Sequence, residues 1–163
     1  ADCTLTCELG TESLKLFDPV PLMTHFINQV QGLKPYTNTL NTILAELYSN
    51  ALEHGLLGLD SSLKNSAQGF ARYYALRHER LLALTEGSIK FEMTHEPSEQ
   101  GGRLILQVTD SGEGFVIPTA QKQLGAISNY HGRGIRLIET LCQRLEFLPP
   151  GNSVIVEFDW KWL

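Results

Sequence analysis

The sequence predicts an α+β chain, a two-layer α/β sandwich, and two kinds of periodicity predict it. Ile89, Phe91 and Met93, then Leu104, Leu106 and Val108, then Val154, Val156 and Phe158 alternate with polar residues as half-buried strands do. Leu40, Ile43, Leu44, Leu47 and Ala51 recur at helical spacing, as do Ile135, Ile138, Leu141, Cys142 and Leu145. Length is the third observation. The 163 residues fit about one domain of the usual ~100–200, enough to bury a core.

Taken in order, Leu5 to Glu8 and Ser13 to Phe17 alternate around Gly10-Thr11 and suggest one or two edge strands. Asp18-Pro19 opens a helix, an N-cap acid followed by proline at the first position. Leu22, Met23, Phe26, Ile27 and Val30 form its core face, Gly32 and Pro35 stop it, and His25 reads as a surface histidine. Thr37 to Gly55 is the next helix, with Gly55 placed to end it in the left-handed conformation. Leu57 to Ser62 reads as a loop; Phe70, Tyr73, Tyr74, Arg77, Leu81 and Leu84 then mark a charged amphipathic helix. That helix either packs on the domain's own edge or offers a docking or dimerisation surface, since aromatics and arginines are enriched at interfaces.

The strand from Ile89 turns at Pro97–Gly102 and returns to bring Asp110 out at its end. Val116 to His131, with Pro118, Gly125 and Lys122, has weak periodicity and reads as a lid over a ligand or an ordinary connection. Leu145 and Phe147 lead to the turn Pro149-Pro150-Gly151-Asn152, and the final strand completes a hairpin before Trp160-Lys161-Trp162.

Three stretches carry chemistry. Glu46, Asn50 and His54 recur one helical turn apart beside the apolar stripe, where a carboxylate and a carboxamide can line a cleft. Asp110-Ser111-Gly112-Glu113-Gly114 puts an acid at a strand end, followed by glycines that let a ligand approach closely. His131-Gly132-Arg133-Gly134 leads into a helix whose first N–H groups can receive phosphate. Each is common alone: a solvated helix edge with a satisfied histidine, a tight turn, and an exposed arginine are the bland alternatives.

Together and in this order they resemble the GHKL ATPases, the superfamily of gyrase, heat-shock chaperone, histidine kinase and MutL. Glu46-Leu47-Tyr48-Ser49-Asn50-Ala51 is similar to the N box, Asp110 to Gly114 to the first glycine box, and Gly132-Arg133-Gly134 to the second. Glu, three residues, Asn-Ala, two residues and His-Gly most resemble the anti-sigma-factor serine kinases. The resemblance covers nearly the whole chain. It implies a Bergerat-type ATP-binding fold, a mixed, mostly antiparallel sheet covered on one face by helices, in a single domain over 1–163. The segment at about 56–87 is a helical insertion relative to that pattern. It resembles one in kinase-like domains fused behind receiver and PPM-type phosphatase domains, which fits a chain starting at Ala1 without Met.

The resemblance also implies roles. Asp110 accepts from the adenine amine; Gly112, Gly114, Gly132, Arg133, Gly134 and His54 belong to the nucleotide site; Asn50 gives an oxygen to Mg2+; Glu46 acts as base on the incoming nucleophile. Lys122 or His131 can add charge to the phosphates. The implied activity is Mg-ATP-dependent phosphorylation of serine or threonine on a STAS-fold anti-sigma-factor antagonist in bacterial partner switching. A sigma or anti-sigma factor is a further partner, and a homodimer stays open. The alternative is a non-catalytic nucleotide-binding module that sequesters a sigma factor or regulator. A histidine kinase is a poorer reading because no acceptor-histidine helix is seen.

Composition agrees with such a protein. A formal net charge of -5 argues against a nucleic-acid surface. No apolar run reaches the ~18 residues of a membrane span, and no signal pattern opens the chain. Cys3, Cys7 and Cys142 are odd in number and lack zinc or redox spacing, so they read as thiols of a reducing cytoplasm.

Overall fold

A computed structural model describes residues 2–113 and 134–163. Its centre is a five-stranded sheet of β1 (Cys3–Leu9), β2 (Ile89–Ser98), β3 (Gly101–Asp110), β4 (Arg144–Leu148) and β5 (Ser153–Lys161). The strand order is β1-β2-β3-β5-β4, and every pairing among the described strands is antiparallel. The helices α1 (Thr11–Leu16), α2 (Pro19–Gln29), α3 (Thr37–Ser49), α4 (Ala67–Ala83) and α5 (Gly134–Leu141) complete an α+β, two-layer sandwich.

Period two decides which sheet face is covered. Phe91, Met93, Leu104, Leu106, Val108, Val154, Val156 and Phe158 are all buried and join Leu40, Ile43, Leu44, Leu47, Met23 and Ile27 in one apolar cluster. Tyr48 of α3 reaches Phe91 with ring centroids 6.0 Å apart, and Tyr36 meets Phe158 at 5.7 Å, joining the two layers. The opposite face is polar: Arg103 of β3 pairs with Asp159 and Glu157 of β5, and Arg144 of β4 bridges Glu157 and its own strand's Glu146. No helix among the described residues is long and apolar enough to cross a membrane.

Five local expectations are corrected. Ser13 to Phe17 lies in and just after helix α1, not a strand; its alternation is too short to separate the two periods, and only Leu14 of α1 is buried. Leu22 points away from the packed face of α2, at 49% exposure, while Met23 and Ile27 do the packing. The hairpin between β2 and β3 is tighter than Pro97–Gly102, because Pro97 and Ser98 are still paired with Gly102 and Gly101. Leu145 belongs to β4, as α5 ends at Leu141. Gly55 does not end its helix: the chain runs from α3 into a π-helical segment, Asn50–Leu56, and the left-handed glycine is Gly58, at φ 60°.

The expected helix opening at Asp18 is present, its carboxylate accepting from the Val20 N–H at 3.0 Å. Ser66 caps α4 through the Gly69 N–H at 3.0 Å. His25 is exposed, and the three cysteines are free and half-buried.

Candidate functional site

The π-helical segment packs on β3, so the end of the Glu46 helix and the end of the Asp110 strand meet. Between them and the β4–β5 turn lies a cavity of about 380 Å3. Asn50, His54, Gly55, Asp110, Gly112 and Asn152 line it, over an apolar floor that includes Leu47, Val108, Ile135 and Val154. A cavity with an apolar wall and a few convergent polar groups suits a flat heterocycle carrying polar edges.

Asp110 is the best defined of these groups. It is 8% exposed, and burial pushes its carboxyl up to about 6, although the Gly112 N–H, donating to Oδ1 at 2.8 Å, pulls it the other way. The Gly55 backbone comes so close that a Cβ there would lie 2.8 Å from Oδ1 and nearer still to Oδ2. Gly112 is equally confined, between the Gly55 carbonyl and Asp110 Oδ1. These two glycines therefore serve close approach: Gly55 makes room for the acid, and Gly112 makes room for Gly55.

On the helix side, Asn50 is 9% exposed and its Nδ2 has no hydrogen-bond partner among the described residues. A buried amide left unpaired costs about 1–3 kcal/mol, so its place in a cavity wall holds capacity for a ligand. His54 lines the cavity, and its Nδ1–H donates to the Leu59 carbonyl at 2.6 Å, fixing the chain that follows the π segment. Glu46 stands apart from the cavity lining. Its half-buried carboxylate lies against Gly134 at the start of α5, where a Cβ would overlap Oε2. Burial raises its pKa, with Lys64 opposing and Glu53 adding to the rise.

The structure thus brings Asn50, His54, Asp110 and Gly112 to one cavity and sets Glu46 beside Gly134. Gly114, Gly132 and Arg133, with Lys122, His131 and the candidate lid, lie outside the described residues. Among the described lining residues there is no Lys or Arg.

Two residues of this region were not singled out as functional in the sequence. Glu53 is a buried acid that accepts from Tyr73 Oη and from Arg77 Nε, with Lys64 Nζ at 3.8 Å. Its signal is the charged and aromatic pair Tyr73 and Arg77, one turn apart on the helix of the 56–87 segment. Asn152 reads as a turn residue, and nothing in its local pattern shows that the turn faces Asp110. Compared with protein-family models and with curated proteins, the chain matches none of them.

Proposed function

We propose that this protein is a Mg-ATP-dependent serine/threonine protein kinase of the anti-sigma-factor type, acting on a STAS-fold antagonist in the bacterial cytoplasm. On this reading the chain is one ATP-binding unit carrying the 56–87 insertion. The observation that carries it is the meeting of Asn50 and Asp110, 60 residues apart in the chain, in the wall of one cavity, with Glu46 beside Gly134. A module free of nucleotide chemistry has no need to bury an unpaired carboxamide and an acid together.

Asp110 would accept from the exocyclic amine of adenine, and the glycine-bounded wall would admit the ring. The residues present fit a Mg2+ held mainly by phosphate and water: the Asn50 carboxamide at the cavity wall carries one oxygen that could serve, while its unpaired Nδ2 is a donor suited to a phosphate oxygen, and among the described residues no cluster of three His, Cys, Asp or Glu stands ready as a cage. Bound there, Mg2+ would offset phosphate charge. Glu46 would take the proton of the incoming serine or threonine hydroxyl as its oxygen bonds to the γ-phosphorus and the β–γ bridging bond breaks, ADP leaving.

The test is transfer of labelled γ-phosphate from Mg-ATP to candidate STAS-fold proteins. Acid-stable label, lost in Glu46→Ala with nucleotide binding kept, is the expected result. Binding without transfer to any candidate would favour the non-catalytic module, and acid-labile label a histidine kinase.

A further inference from the structure

We propose that Asn152 is the positioning residue for Asp110, and so sets which nucleobase the cavity accepts; this rests on reading the cavity as an adenine-nucleotide site. Asn152 sits in the β4–β5 turn and grips the end of β3 from both its main chain and its side chain. Its carbonyl accepts from the Asp110 N–H at 2.9 Å. Its Nδ2 donates to the Asp110 carbonyl at 2.7 Å and reaches the Gly112 carbonyl at 3.4 Å. Two carbonyls two residues apart thus converge on one NH2 group, which carries two donor hydrogens.

That grip has a consequence at the carboxylate. Holding the carbonyls of 110 and 112 fixes the turn in which the Gly112 N–H donates to Asp110 Oδ1. Oδ1 is then occupied by the backbone. Among the described residues nothing donates to Oδ2, which lies beside Gly55 in the cavity wall. One oxygen is left in a fixed direction to accept from a ligand amine, which favours adenine, with its amino group, over a base presenting a carbonyl there. A ligand carbonyl opposite Oδ2 would bring two acceptors together.

The turn is built to hold Asn152 in place. Gly151 has φ 108°, a conformation that favours glycine, and its N–H donates to the Leu148 carbonyl at 2.7 Å. The other side of the Asp110–Gly112 turn is held separately: the Ser111 N–H donates to the Ser88 carbonyl at 3.0 Å, and the Ser88 N–H to Ser111 Oγ at 2.9 Å. Removing the Asn152 carboxamide therefore frees the carbonyl side of the turn while Ser88 still anchors it.

The experiment measures ATP and GTP binding by calorimetry to the full chain and to Asn152→Ala, with amide hydrogen exchange at Gly112 in the nucleotide-free protein. Expected is an ATP preference in the unaltered chain that collapses in the variant, with ATP affinity falling about tenfold and GTP affinity changing less than about twofold. Exchange at Gly112 should rise about tenfold while that of Leu106 in β3 stays put. Equal losses for both nucleotides, or an unchanged ratio, would overturn the proposal and leave Asn152 a structural turn residue. If the unaltered chain binds neither nucleotide, the nucleotide reading and the base-selectivity part fall together, and unchanged Gly112 exchange would overturn the positioning as well. Should Asn152→Ala fail to fold, Asn152→Ser, which keeps a single donor, is carried through the same two measurements.

Discussion

The Tyr73 hydroxyl, on the helix of the 56–87 segment, donates to the carboxylate of Glu53, inside the π-helical segment that follows α3. Tyr73 is fully buried and Glu53 nearly so, with Arg77 donating at 3.2 Å and Lys64 over the Tyr73 ring at 4.4 Å. One face of α4 is therefore a packed edge of the molecule, while Phe70 and Tyr74 on the same helix are exposed. Tyr73→Phe removes one hydrogen bond to a buried charge and should cost about 1–3 kcal/mol in urea unfolding. An unchanged midpoint would mean that Arg77 and Lys64 alone satisfy Glu53.

Asp110 gives the fold a pH dependence of definite sign. Its pKa is raised from 3.8 to about 6, so the folded state favours the protonated acid. The stability this contributes is full below pH 3.8 and is lost as pH rises through about 6. Asp110→Asn should therefore gain on the unaltered protein between pH 4.5 and 7.5, by about 2 kcal/mol. If the cavity takes adenine as proposed, ATP affinity should run the other way, rising as the acid ionises. Denaturant unfolding and calorimetry at the two pH values check both halves.

Gly55→Ala sets two effects against each other. Helix propensity favours alanine by ~1 kcal/mol. The new Cβ, however, meets the Asp110 carboxyl group, which is buried and pinned by Gly112. Overpacking costs typically about 1–3 kcal/mol, so the net result should be destabilisation together with weaker ATP binding. A stabilised variant with unaltered binding would show that Asp110 can move aside freely.

Gly134→Ala should act through Glu46. The added methyl overlaps the Glu46 carboxylate, so on the kinase reading phosphotransfer should fall about tenfold or more. Adding Gly134→Ala to Glu46→Ala should then lower transfer little further, because both changes act on one group. Additive losses would separate the two residues.

Lys64 opposes the burial that raises the Glu46 pKa. On the kinase reading, the raised Glu46 pKa should place the acid limb of the transfer profile above the ordinary carboxylate range. Lys64→Met should move that limb to higher pH without abolishing transfer at alkaline pH. A limb that stays put would mean that Lys64 serves only Glu53.

Much of this architecture is legible in the residues, because long alternations and long helical stripes leave one solution each. The β2, β3 and β5 patterns and the α3 stripe are of that kind. Short segments are not: six residues at Thr11–Leu16 cannot distinguish period two from period 3.6, and burial of Leu14 alone decides the outcome. At the site, Asn50 and Asp110 stood out because polar residues beside an apolar face are conspicuous. Asn152 did not, because its importance arises from a 42-residue separation that only the sheet closes. The change of helix type at Asn50 was equally hidden, since it falls where the chain packs on β3, a contact that no local pattern reveals.

The register of β1 on β2 pairs Leu9 with Ile89 and Cys3 with His95. Three helices, the π segment and the whole 56–87 stretch lie between these partners in the chain. During synthesis β1 must therefore wait, unpaired with β2, until that neighbour has been made. Loop closure over such a distance is an entropic toll met before any contact returns it, and chains dominated by such pairings fold slowly. Pairing of β1 with β2 thus cannot precede synthesis of Ile89 to His95, and the strand's alternate threonines and glutamate, Thr4, Thr6 and Glu8, keep its exposed side polar during the wait.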